Sequence, residues 1–325
     1  MAFASQLSDY LKKEEQGVLD IMTGSLRSGI ELLDMANAHL LSHQGKRLRS
    51  KLMLLIGKAL EGAASDKVSR LSAASELLHN ATLLHDDVAD DSSFRRGVPT
   101  AHSLLGARAA VLLGDYWLVK AMDLVISCDC GGGEFTRIYS KTLGDLAEGE
   151  LLELQKAENA DTSREDYLRI IYLKTASLFE VCCVAAAMAC GASTDVIEDM
   201  REYGVSVGMA FQIKDDIMDY GSLSIGKPVG LDLSEKKITL PLLCTLEDCS
   251  KEEEESLRAM IRQIEAPGNE EAVCQAIRLK DGVKKAEAVL EEYISKAKSA
   301  LGCIPEGEAR DYLDGVASYV SSREV

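Results

Sequence analysis

Apolar residues recur at the three- and four-residue spacing of helices along most of the chain. The clearest stretches are residues 109–127 and 167–190, and the second contains the apolar run 181–190. Side chains at this spacing line one face of a helix, so the pattern predicts long helices with buried faces. Convincing alternating runs, which would be typical of strands, do not occur. The pattern therefore predicts an all-α protein.

Prolines and glycines agree with this prediction. Of the five prolines, only Pro99 precedes residue 228, so long helices can form in the intervening part of the chain. Glycines 131–133 predict a turn, and residues 191–195 predict the end of one helix and the cap of the next. Residues 221–234, GSLSIGKPVGLDLS, predict an ordered loop.

Composition and charge limit the class of protein. The 325 residues are 46% hydrophobic, which suits one all-α domain, residues 1–325, with about ten or more helices around a central cavity. Uninterrupted apolar runs fall short of the roughly 18 residues of a transmembrane segment, and the N-terminus lacks a signal-peptide pattern. A net charge of −17 disfavours nucleic acid as a partner. Nine cysteines without a CxxC pair fit a reduced, cytoplasmic protein.

Two acidic blocks stand out within the helical pattern. Residues 86–90 read DDVAD and residues 215–219 read DDIMD. Helix positions four residues apart have Cβ atoms about 6 Å apart, so each block aims two carboxylates at one place. Like charges held so close need a positive counterpart, and Mg²⁺ prefers oxygen ligands. The blocks therefore predict Mg²⁺ ions that clamp a polyphosphate.

Other polar residues extend this prediction. His79 and Thr82 continue the face of the first block, and Gln212 continues that of the second. Basic residues cluster at residues 45–49, 95–97, 174–175, 226–228 and 236–237. A lone DDxxD block or basic pair is often only solvated surface. Two acidic faces together with several basic clusters predict a diphosphate-binding site, because Arg and Lys are the usual phosphate ligands.

These segments resemble the motifs of the all-trans isoprenyl diphosphate synthases. Residues 77–99, LLHNATLLHDDVADDSSFRRGVP, are similar to the family's first aspartate-rich motif, and residues 211–220, FQIKDDIMDY, to its second. Further matching segments, in the family's order, are GKRLR (45–49), GDYWL (114–118), EGELLEL (148–154), LKTASLF (173–179), IGKPVGLDL (225–233) and KKITLP (236–241). The resemblance is loose beyond residue 247. Ser50 stands where the family usually has proline, which predicts some loss of rigidity.

The resemblance implies an isoprenoid synthase fold and a Mg²⁺-dependent condensation. An allylic diphosphate loses pyrophosphate, the double bond of isopentenyl diphosphate attacks the allylic cation, and loss of a proton forms a trans double bond. Released pyrophosphate is the implied proton acceptor. The resemblance also implies about three Mg²⁺ ions per site, replaceable by Mn²⁺. It further implies a homodimer with the helix after Gly106 at the interface.

The resemblance assigns roles residue by residue. Implied metal ligands are Asp86, Asp87, Asp90, Asp215 and Asp219, and implied catalytic residues are Lys174, Thr175, Gln212 and Asp216. Implied ligands of the allylic diphosphate are Arg95, Lys174, Gln212, Lys227 and Lys237, and those of isopentenyl diphosphate are Lys46, Arg49, His79 and Arg96. Gln212 and Thr175 would shield the allylic cation with their oxygens. Asp87 and Asp216 would tune the metal ligands through water or neighbouring groups.

Product length in the resembling family depends on the residues beneath the first aspartate motif. One isoprene unit is about as long as one helical turn, roughly 5 Å. Large aromatics at the fifth and fourth positions before the first aspartate give short products; here these are Ala81 and Thr82. Leu78 and Leu77 lie deeper and are weak stoppers, and candidates for the tunnel floor are Trp117, Leu118, Met122 and Tyr139. We therefore expect a medium-to-long polyprenyl diphosphate of quinone side-chain length.

Three alternatives stay open on the sequence. A geranylgeranyl diphosphate synthase would need a tunnel floor within two turns of Asp86. A non-catalytic regulatory subunit would typically lack one aspartate motif, whereas this chain keeps both. A terpene cyclase would not need the implied isopentenyl diphosphate site at Lys46, Arg49 and Arg96.

Overall fold

The computed structural model describes residues 2–43, 45–95, 97–129, 131–220 and 231–323. Within these residues the fold is all-α, which confirms the predicted fold class. The helices are α1 (Ala2–Tyr10), α2 (Lys12–Ser25), α3 (Glu31–Ser42), α4 (Leu48–Glu61), α5 (Asp66–Ala89), α6 (Ala101–Leu105), α7 (Ala107–Cys128), α8 (Glu134–Asn159), α9 (Arg164–Ile171), α10 (Ser177–Ala189), α11 (Thr194–Asp219), α12 (Leu231–Ser234), α13 (Leu240–Leu246), α14 (Lys251–Arg262), α15 (Asn269–Leu279), α16 (Gly282–Ala300) and α17 (Glu308–Ser322). A π-helical turn (Tyr172–Ala176) joins α9 to α10, and a 3₁₀ turn (Leu301–Cys303) follows α16.

One small hairpin is the exception to the helical fold. Strands β1 (Phe94–Arg95) and β2 (Val98–Pro99) pair antiparallel, with Phe94 opposite Pro99 and Arg95 opposite Val98. Strands of two residues are too short to produce an alternating pattern, so hydrophobic periodicity does not predict them. The glycine turns agree with prediction: residues 131–133 precede α8, and residues 191–195 contain the turn after α10 and the start of α11 at Thr194.

The described chain separates into two compact units. The first contains residues 1–141, 181–200 and 303–313, and the second contains residues 142–180, 201–302 and 314–325. The expectation of a single domain over residues 1–325 stays a prediction.

The core of the first unit is built around α5, which packs against α7, α4 and α2. Residues 71–78 of α5 are all buried, as are residues 51–57 of α4. Two fully buried aromatic residues have hydrogen-bond partners: Trp117 donates from Nε1 to Asn37 Oδ1 at 2.8 Å, and the Tyr139 hydroxyl lies 2.7 Å from that of Ser75. These bonds hold both rings in one orientation.

In the second unit, α13 packs against α16 and α15. Glycine is required where α16 begins, because a Cβ at Gly282 would lie 2.3 Å from the carbonyl oxygen of Pro241 and from Thr245 Oγ1. The backbones of α13 and α16 therefore approach each other more closely than any larger residue would allow.

One helical stretch, Arg164–Ala189, is long and apolar enough to cross a membrane by length and mean hydropathy. The sequence analysis found no such segment, because it considered only uninterrupted apolar runs. In the structure 83% of the relevant window is buried. Burial on nearly all sides explains the apolar composition of this stretch as that of a core helix.

Hydrogen-bonded caps mark several helix starts. Ser163 and Ser250 form capping boxes with Asp166 and Glu253 at the starts of α9 and α14. Before α8, the carboxylate of Asp129 accepts hydrogen bonds from the backbone N–H groups of Phe135 and Thr136, at 3.0 and 3.1 Å. Burial opposes the charged form, but these bonds and the Thr136 hydroxyl lower the pKa of Asp129 below its usual value.

We predict that Asp129→Ala lowers the free energy of unfolding by about 1–2 kcal/mol, because the first amides of α8 lose their acceptor. Urea denaturation at pH 7 measures the change. Since the folded-state pKa is lowered, the difference from wild type should shrink as the pH falls below about 4. Asp123→Ala on the exposed side of α7 is the control and should change stability by less than about 0.5 kcal/mol. An equal effect of both substitutions would contradict the capping role.

Candidate active site

The first acidic block lies at the C-terminal end of α5. The helix ends one residue before Asp90, whose backbone N–H donates to the Asp86 carbonyl oxygen at 2.8 Å. His79, Thr82 and Asp86 are half-buried and Asp90 is exposed. The polar stripe predicted on this helix therefore lies on a face that solvent reaches, and two of its carboxylates are accessible to ligands.

Asp87 behaves differently from its two neighbours in the block. Its side chain is buried, with 4% of the residue exposed, and its Oδ1 accepts a hydrogen bond from Arg95 Nε at 2.7 Å. Arg95 comes from the hairpin that follows α5, and its side chain is 36% exposed. The structure thus pairs a predicted metal ligand with a predicted diphosphate ligand, and each neutralises the other.

The GKRLR segment begins α4 through an unusual backbone conformation. Arg47 has φ of 48°, in the left-handed region, and its guanidinium contacts the buried Glu15 carboxylate at 3.1 Å. Lys46 is exposed and Arg49 is half-buried. Such conformations cost energy in residues other than glycine and tend to occur at functional sites.

Ser50 makes a bond that proline would exclude. Its backbone N–H donates to Oε1 of Glu76 at 3.0 Å, and both residues are buried. Proline has no N–H, so the family's usual residue would leave this bond unmade. The departure from the family pattern therefore gives a buried carboxylate a hydrogen-bond donor, which the sequence analysis did not foresee.

Residues of the GDYWL segment support α5, a role that the sequence did not reveal. A Cβ at Gly114 would lie 2.4 Å from Nε2 of His85, so only glycine leaves room for this ring. The same nitrogen lies 3.3 Å from Asp115 Oδ1. Contacts between α7 and α5 thus fix the residue that immediately precedes the first aspartate block.

The residues expected to control product length lie on the inner side of α5. Leu77, Leu78 and Ala81 are buried, with 1% exposure or less. Thr82 is half-buried and its hydroxyl donates to the His79 carbonyl oxygen at 2.8 Å. Among the floor candidates, Trp117 and Tyr139 are fully buried, while Leu118 and Met122 are half-buried.

The second acidic block occupies the last turns of α11. Asp215 and Asp219 are half-buried, whereas Asp216 is 3% exposed. An oxygen of Asp219 accepts a hydrogen bond from the Asp232 backbone N–H at 3.3 Å. As in the first block, the middle carboxylate points into the protein and the first and last remain accessible.

Arg323, near the C-terminus, contacts this block. Its Nη2 lies 2.8 Å from Asp215 Oδ1 and donates to the Phe211 carbonyl oxygen at 2.5 Å. The guanidinium also lies 3.7 Å from the centre of the Phe211 ring. The sequence analysis missed this residue, because the chain beyond residue 247 matches the family only loosely and no local pattern links residue 323 to α11.

Lys174 and Thr175 lie within the π-helical turn, against which two other helices pack very closely. A Cβ at Gly149 of α8 would lie 2.9 Å from the Lys174 backbone nitrogen, and a Cβ at Gly208 of α11 would lie 2.5 Å from Ala176 Cα. π-helical turns are rare and frequent at functional sites. The glycines let α8 and α11 hold this turn backbone against backbone.

Carboxylates surround the predicted diphosphate-binding lysines. Lys174 Nζ lies 3.0 Å from Glu150 and 2.5 Å from Glu153. Lys237 Nζ lies 3.6 Å from Glu153 and 2.7 Å from Glu235. Burial disfavours the charged form of Lys174, but Glu153 and Glu150 outweigh burial and raise its pKa. Both lysines therefore carry positive charge and converge on one glutamate.

A cavity of about 120 Å³ opens beside these lysines, and its lining includes Glu153, Lys174, Gln212, Asp216, Asp232 and Lys237. Burial raises the pKa of Asp232 to about 7, and the charge of Asp219 adds to the rise. Burial also raises the pKa of Asp216 to about 8, with a further contribution from Asp232, while hydrogen bonds from Tyr167 and Gln212 oppose it. Acidic groups are thus crowded at the second block.

Thr175, Gln212 and Asp216 are joined by hydrogen bonds. Thr175 Oγ1 donates to Gln212 Oε1 at 2.7 Å, and Gln212 Nε2 donates to Asp216 Oδ1 at 2.9 Å. The hydroxyl of Tyr167 donates to the other oxygen of Asp216 at 2.5 Å. The structure therefore brings together three of the four predicted catalytic residues and adds Tyr167, which the sequence analysis did not single out.

Two predicted site residues, Arg96 and Lys227, lie outside the described residues, as does most of the predicted loop at 221–234. The last residues of that loop form α12.

The described carboxylates fit Mg²⁺ as partial ligands. In the part of the chain that the structure describes, no three or more His, Cys, Asp or Glu side chains are grouped to hold a metal by themselves. Mg²⁺ is usually bound by one or two protein carboxylates, with waters and substrate phosphates as its other ligands. The accessible carboxylates of Asp86, Asp90, Asp215 and Asp219 suit that mode of binding.

Comparison with known proteins agrees with the motifs and the fold. Residues 30–279 match the polyprenyl synthetase family. Octaprenyl diphosphate synthase of Escherichia coli K12 is 32% identical over 321 residues, 98% of each chain, and the short chain isoprenyl diphosphate synthase of Methanothermobacter thermautotrophicus is 35% identical over 303 residues, 90% of this chain and 91% of the relative. A decaprenyl diphosphate synthase from Rhodobacter capsulatus has the same fold, with a TM-score of 0.90 and 31% identity over 98% of each chain.

The fold and sequence together define an all-α prenyltransferase of the isoprenoid synthase type. The chain belongs to the polyprenyl synthetase family. Members of this family act on prenyl substrates and are generally Mg²⁺-dependent.

We predict that Gly149→Ala destabilises the protein by about 1–3 kcal/mol, because the added methyl group must displace the backbone of the π-helical turn. Gly144→Ala is the matched control on α8, since nothing lies within 4 Å of a Cβ at that position. The control should be neutral or stabilising by up to about 1 kcal/mol. Urea denaturation compares the two variants, and equal stability would contradict the close packing at Gly149.

Proposed function

We propose that the protein condenses isopentenyl diphosphate with an allylic diphosphate to give a medium-to-long all-trans polyprenyl diphosphate. The observation that carries this proposal is the cavity of the second unit, where Lys174 and Lys237 converge on Glu153 beside the second acidic block. Lysines paired with carboxylates beside a cavity can exchange these partners for the oxygens of a diphosphate. The family membership of the chain supports the same reaction.

The accessible aspartates are the proposed metal ligands. Asp86 and Asp90 would hold two Mg²⁺ ions, and Asp215 with Asp219 would hold a third, which makes about three per site; Mn²⁺ would substitute. When bound, these ions would neutralise the charge that builds up on the departing pyrophosphate. Asp87 would act indirectly, because its side chain is buried as well as paired with Arg95.

Basic residues would bind the two substrates. Lys174, Lys237, Lys227 and Arg95, with Gln212, are the proposed ligands of the allylic diphosphate. Lys46, Arg49, His79 and Arg96 are the proposed ligands of isopentenyl diphosphate. The half-buried His79 and Arg49 and the exposed Lys46 suit a site that a charged substrate enters from solvent.

Small side chains on α5 support a product longer than geranylgeranyl diphosphate. Ala81 and Thr82 present no aromatic obstacle in the two positions that shorten products in the family. Two of the similar proteins are an octaprenyl and a decaprenyl diphosphate synthase, whereas a third is a short chain isoprenyl diphosphate synthase. Geranylgeranyl diphosphate synthesis is therefore the second candidate, and it would require a floor formed by residues such as Trp117 or Tyr139.

We propose that the active enzyme is a homodimer and that it is cytoplasmic. Helix α7 presents a row of exposed apolar side chains, Val111, Leu112, Val119 and Ile126, whose exposed fractions range from 38% to 60%. Apolar surface of this kind is characteristic of protein interfaces. Sedimentation of the purified protein measures the subunit number.

A product assay tests the proposed function. Purified protein is incubated with Mg²⁺, labelled isopentenyl diphosphate and, separately, dimethylallyl, geranyl, farnesyl and geranylgeranyl diphosphate, and the dephosphorylated products are resolved. Products longer than geranylgeraniol are expected. A stop at geranylgeraniol would favour the second candidate. Absence of Mg²⁺-dependent condensation with every primer would contradict the enzyme and favour a regulatory subunit, and cyclic products would indicate a terpene cyclase.

We predict that Ala81→Phe shortens the main product by one or more isoprene units, since the aromatic ring would block the buried side of α5 about one turn below Asp86. The distribution of chain lengths measures the effect. Arg70→Phe lies on the same helix with a side chain that is 43% exposed in the wild type, and it should leave the distribution unchanged. An unchanged product in Ala81→Phe would show that the growing chain does not pass residue 81.

A further inference from the structure

Both carboxyl oxygens of Asp216, the second aspartate of the second block, have hydrogen-bond partners inside the protein. Asp216 is 3% exposed, and each of its carboxyl oxygens has a different partner: Tyr167 at Oδ2 and Gln212 at Oδ1. Tyr167 is also 3% exposed. An ion that bound Asp216 directly would have to share an oxygen that already accepts a buried hydrogen bond, and loss of either bond would leave a buried polar group unpaired, which is costly.

Asp216 determines the orientation of the Gln212 side-chain amide. A carboxyl oxygen at 2.9 Å requires a donor, so the amide nitrogen of Gln212 faces Asp216. The amide oxygen must then face the other way, where it accepts from Thr175 Oγ1 at 2.7 Å.

The direction of the hydrogen bonds also determines whether the Thr175 hydroxyl offers its proton or its oxygen lone pairs to other neighbours. Its only hydroxyl proton is donated to Gln212, so Thr175 Oγ1 can present only lone pairs to any other neighbour. Oxygen lone pairs stabilise a nearby positive charge, whereas a hydroxyl proton pointed at that charge would repel it. If Thr175 shields a cation, its hydroxyl proton must therefore stay pointed at Gln212 and away from the cation.

We propose that Tyr167 is a positioning residue for the condensation: through Asp216 and Gln212 it orients the oxygen of Thr175 that shields the allylic cation. This inference rests on the proposed function and adds to it Tyr167, which lines the same cavity but donates its hydroxyl to Asp216 and is not a proposed substrate ligand. It also assigns Asp216 to the orientation of Gln212 and not to direct metal binding.

Tyr167→Phe removes one hydroxyl and keeps the ring. We expect kcat for condensation to fall by between about tenfold and hundredfold, because misorientation of groups at the reacting carbon has effects of that size. KM for both substrates and the Kd of unreactive farnesyl thiodiphosphate with Mg²⁺, measured by calorimetry, should stay within about threefold of wild type, since Tyr167 is not a proposed diphosphate ligand and Gln212 is only one of five proposed for the allylic diphosphate.

Tyr172→Phe is the matched control. Its hydroxyl donates to a carboxylate as well, Glu180 at 2.7 Å, from the same helical stretch, but it has no bond to Asp216. It should lose stability to a similar degree and keep its kcat. A parallel loss of kcat and of thiodiphosphate binding in Tyr167→Phe, or an equal loss of kcat in both variants, would show a merely structural role and overturn the inference.

Two substitutions of Asp216 separate orientation from metal binding. Asn offers an oxygen to Gln212 and an NH₂ group to the Tyr167 oxygen, so Asp216→Asn should keep more activity than Asp216→Ala, with an unchanged Mg²⁺ requirement. A Mg²⁺ requirement raised tenfold or more in Asp216→Asn would identify a metal ligand instead. Wild-type protein that forms no condensation product would overturn the proposed function itself, whereas an active wild type with an equally active Tyr167→Phe overturns only this inference.

Discussion

Burial of one carboxylate in each acidic block is the constraint on which the site depends. Asp87 is neutralised by Arg95, and Asp216 is hydrogen-bonded by Tyr167 and Gln212. A buried carboxylate without such partners would be strongly destabilising. Because the middle residue is fixed inside the protein, the first and last aspartates of each block stay on the accessible side of the helix. The partners of the buried aspartates thus determine which carboxylates of each block solvent can reach.

Two half-buried lysines of the second unit, Lys174 and Lys237, are likewise neutralised by side chains of opposite charge. Glu150, Glu153 and Glu235 keep Lys174 and Lys237 paired. Diphosphate would therefore replace existing ion pairs, and its affinity would reflect the difference between two sets of partners. The backbone beneath Lys174 is held by glycine contacts from α8 and α11, so substrate binding need not order this segment.

Helical periodicity and the acidic motifs predicted the all-α fold and the helix-borne aspartates. The family resemblance implied roles for Thr175, Gln212 and Asp216, which the structure joins by hydrogen bonds. Features that depend on residues distant in sequence could not be predicted. Arg323 reaches Asp215, Tyr167 reaches Asp216 and Ser50 reaches Glu76, and no local spacing records these contacts. The small hairpin at Arg95 was missed because two-residue strands leave no pattern, and the buried state of the middle aspartates follows from tertiary packing alone.

The central proposal is that each acidic block binds diphosphate through Mg²⁺. Calorimetric titration of farnesyl thiodiphosphate into wild-type protein, Asp86→Asn and Asp215→Asn, each with Mg²⁺ and with EDTA, tests it most directly. The account predicts Mg²⁺-dependent binding that weakens by about tenfold or more in each variant, since every lost charge removes part of a metal's coordination. Binding that is independent of Mg²⁺, or that either substitution leaves unchanged, would contradict the account.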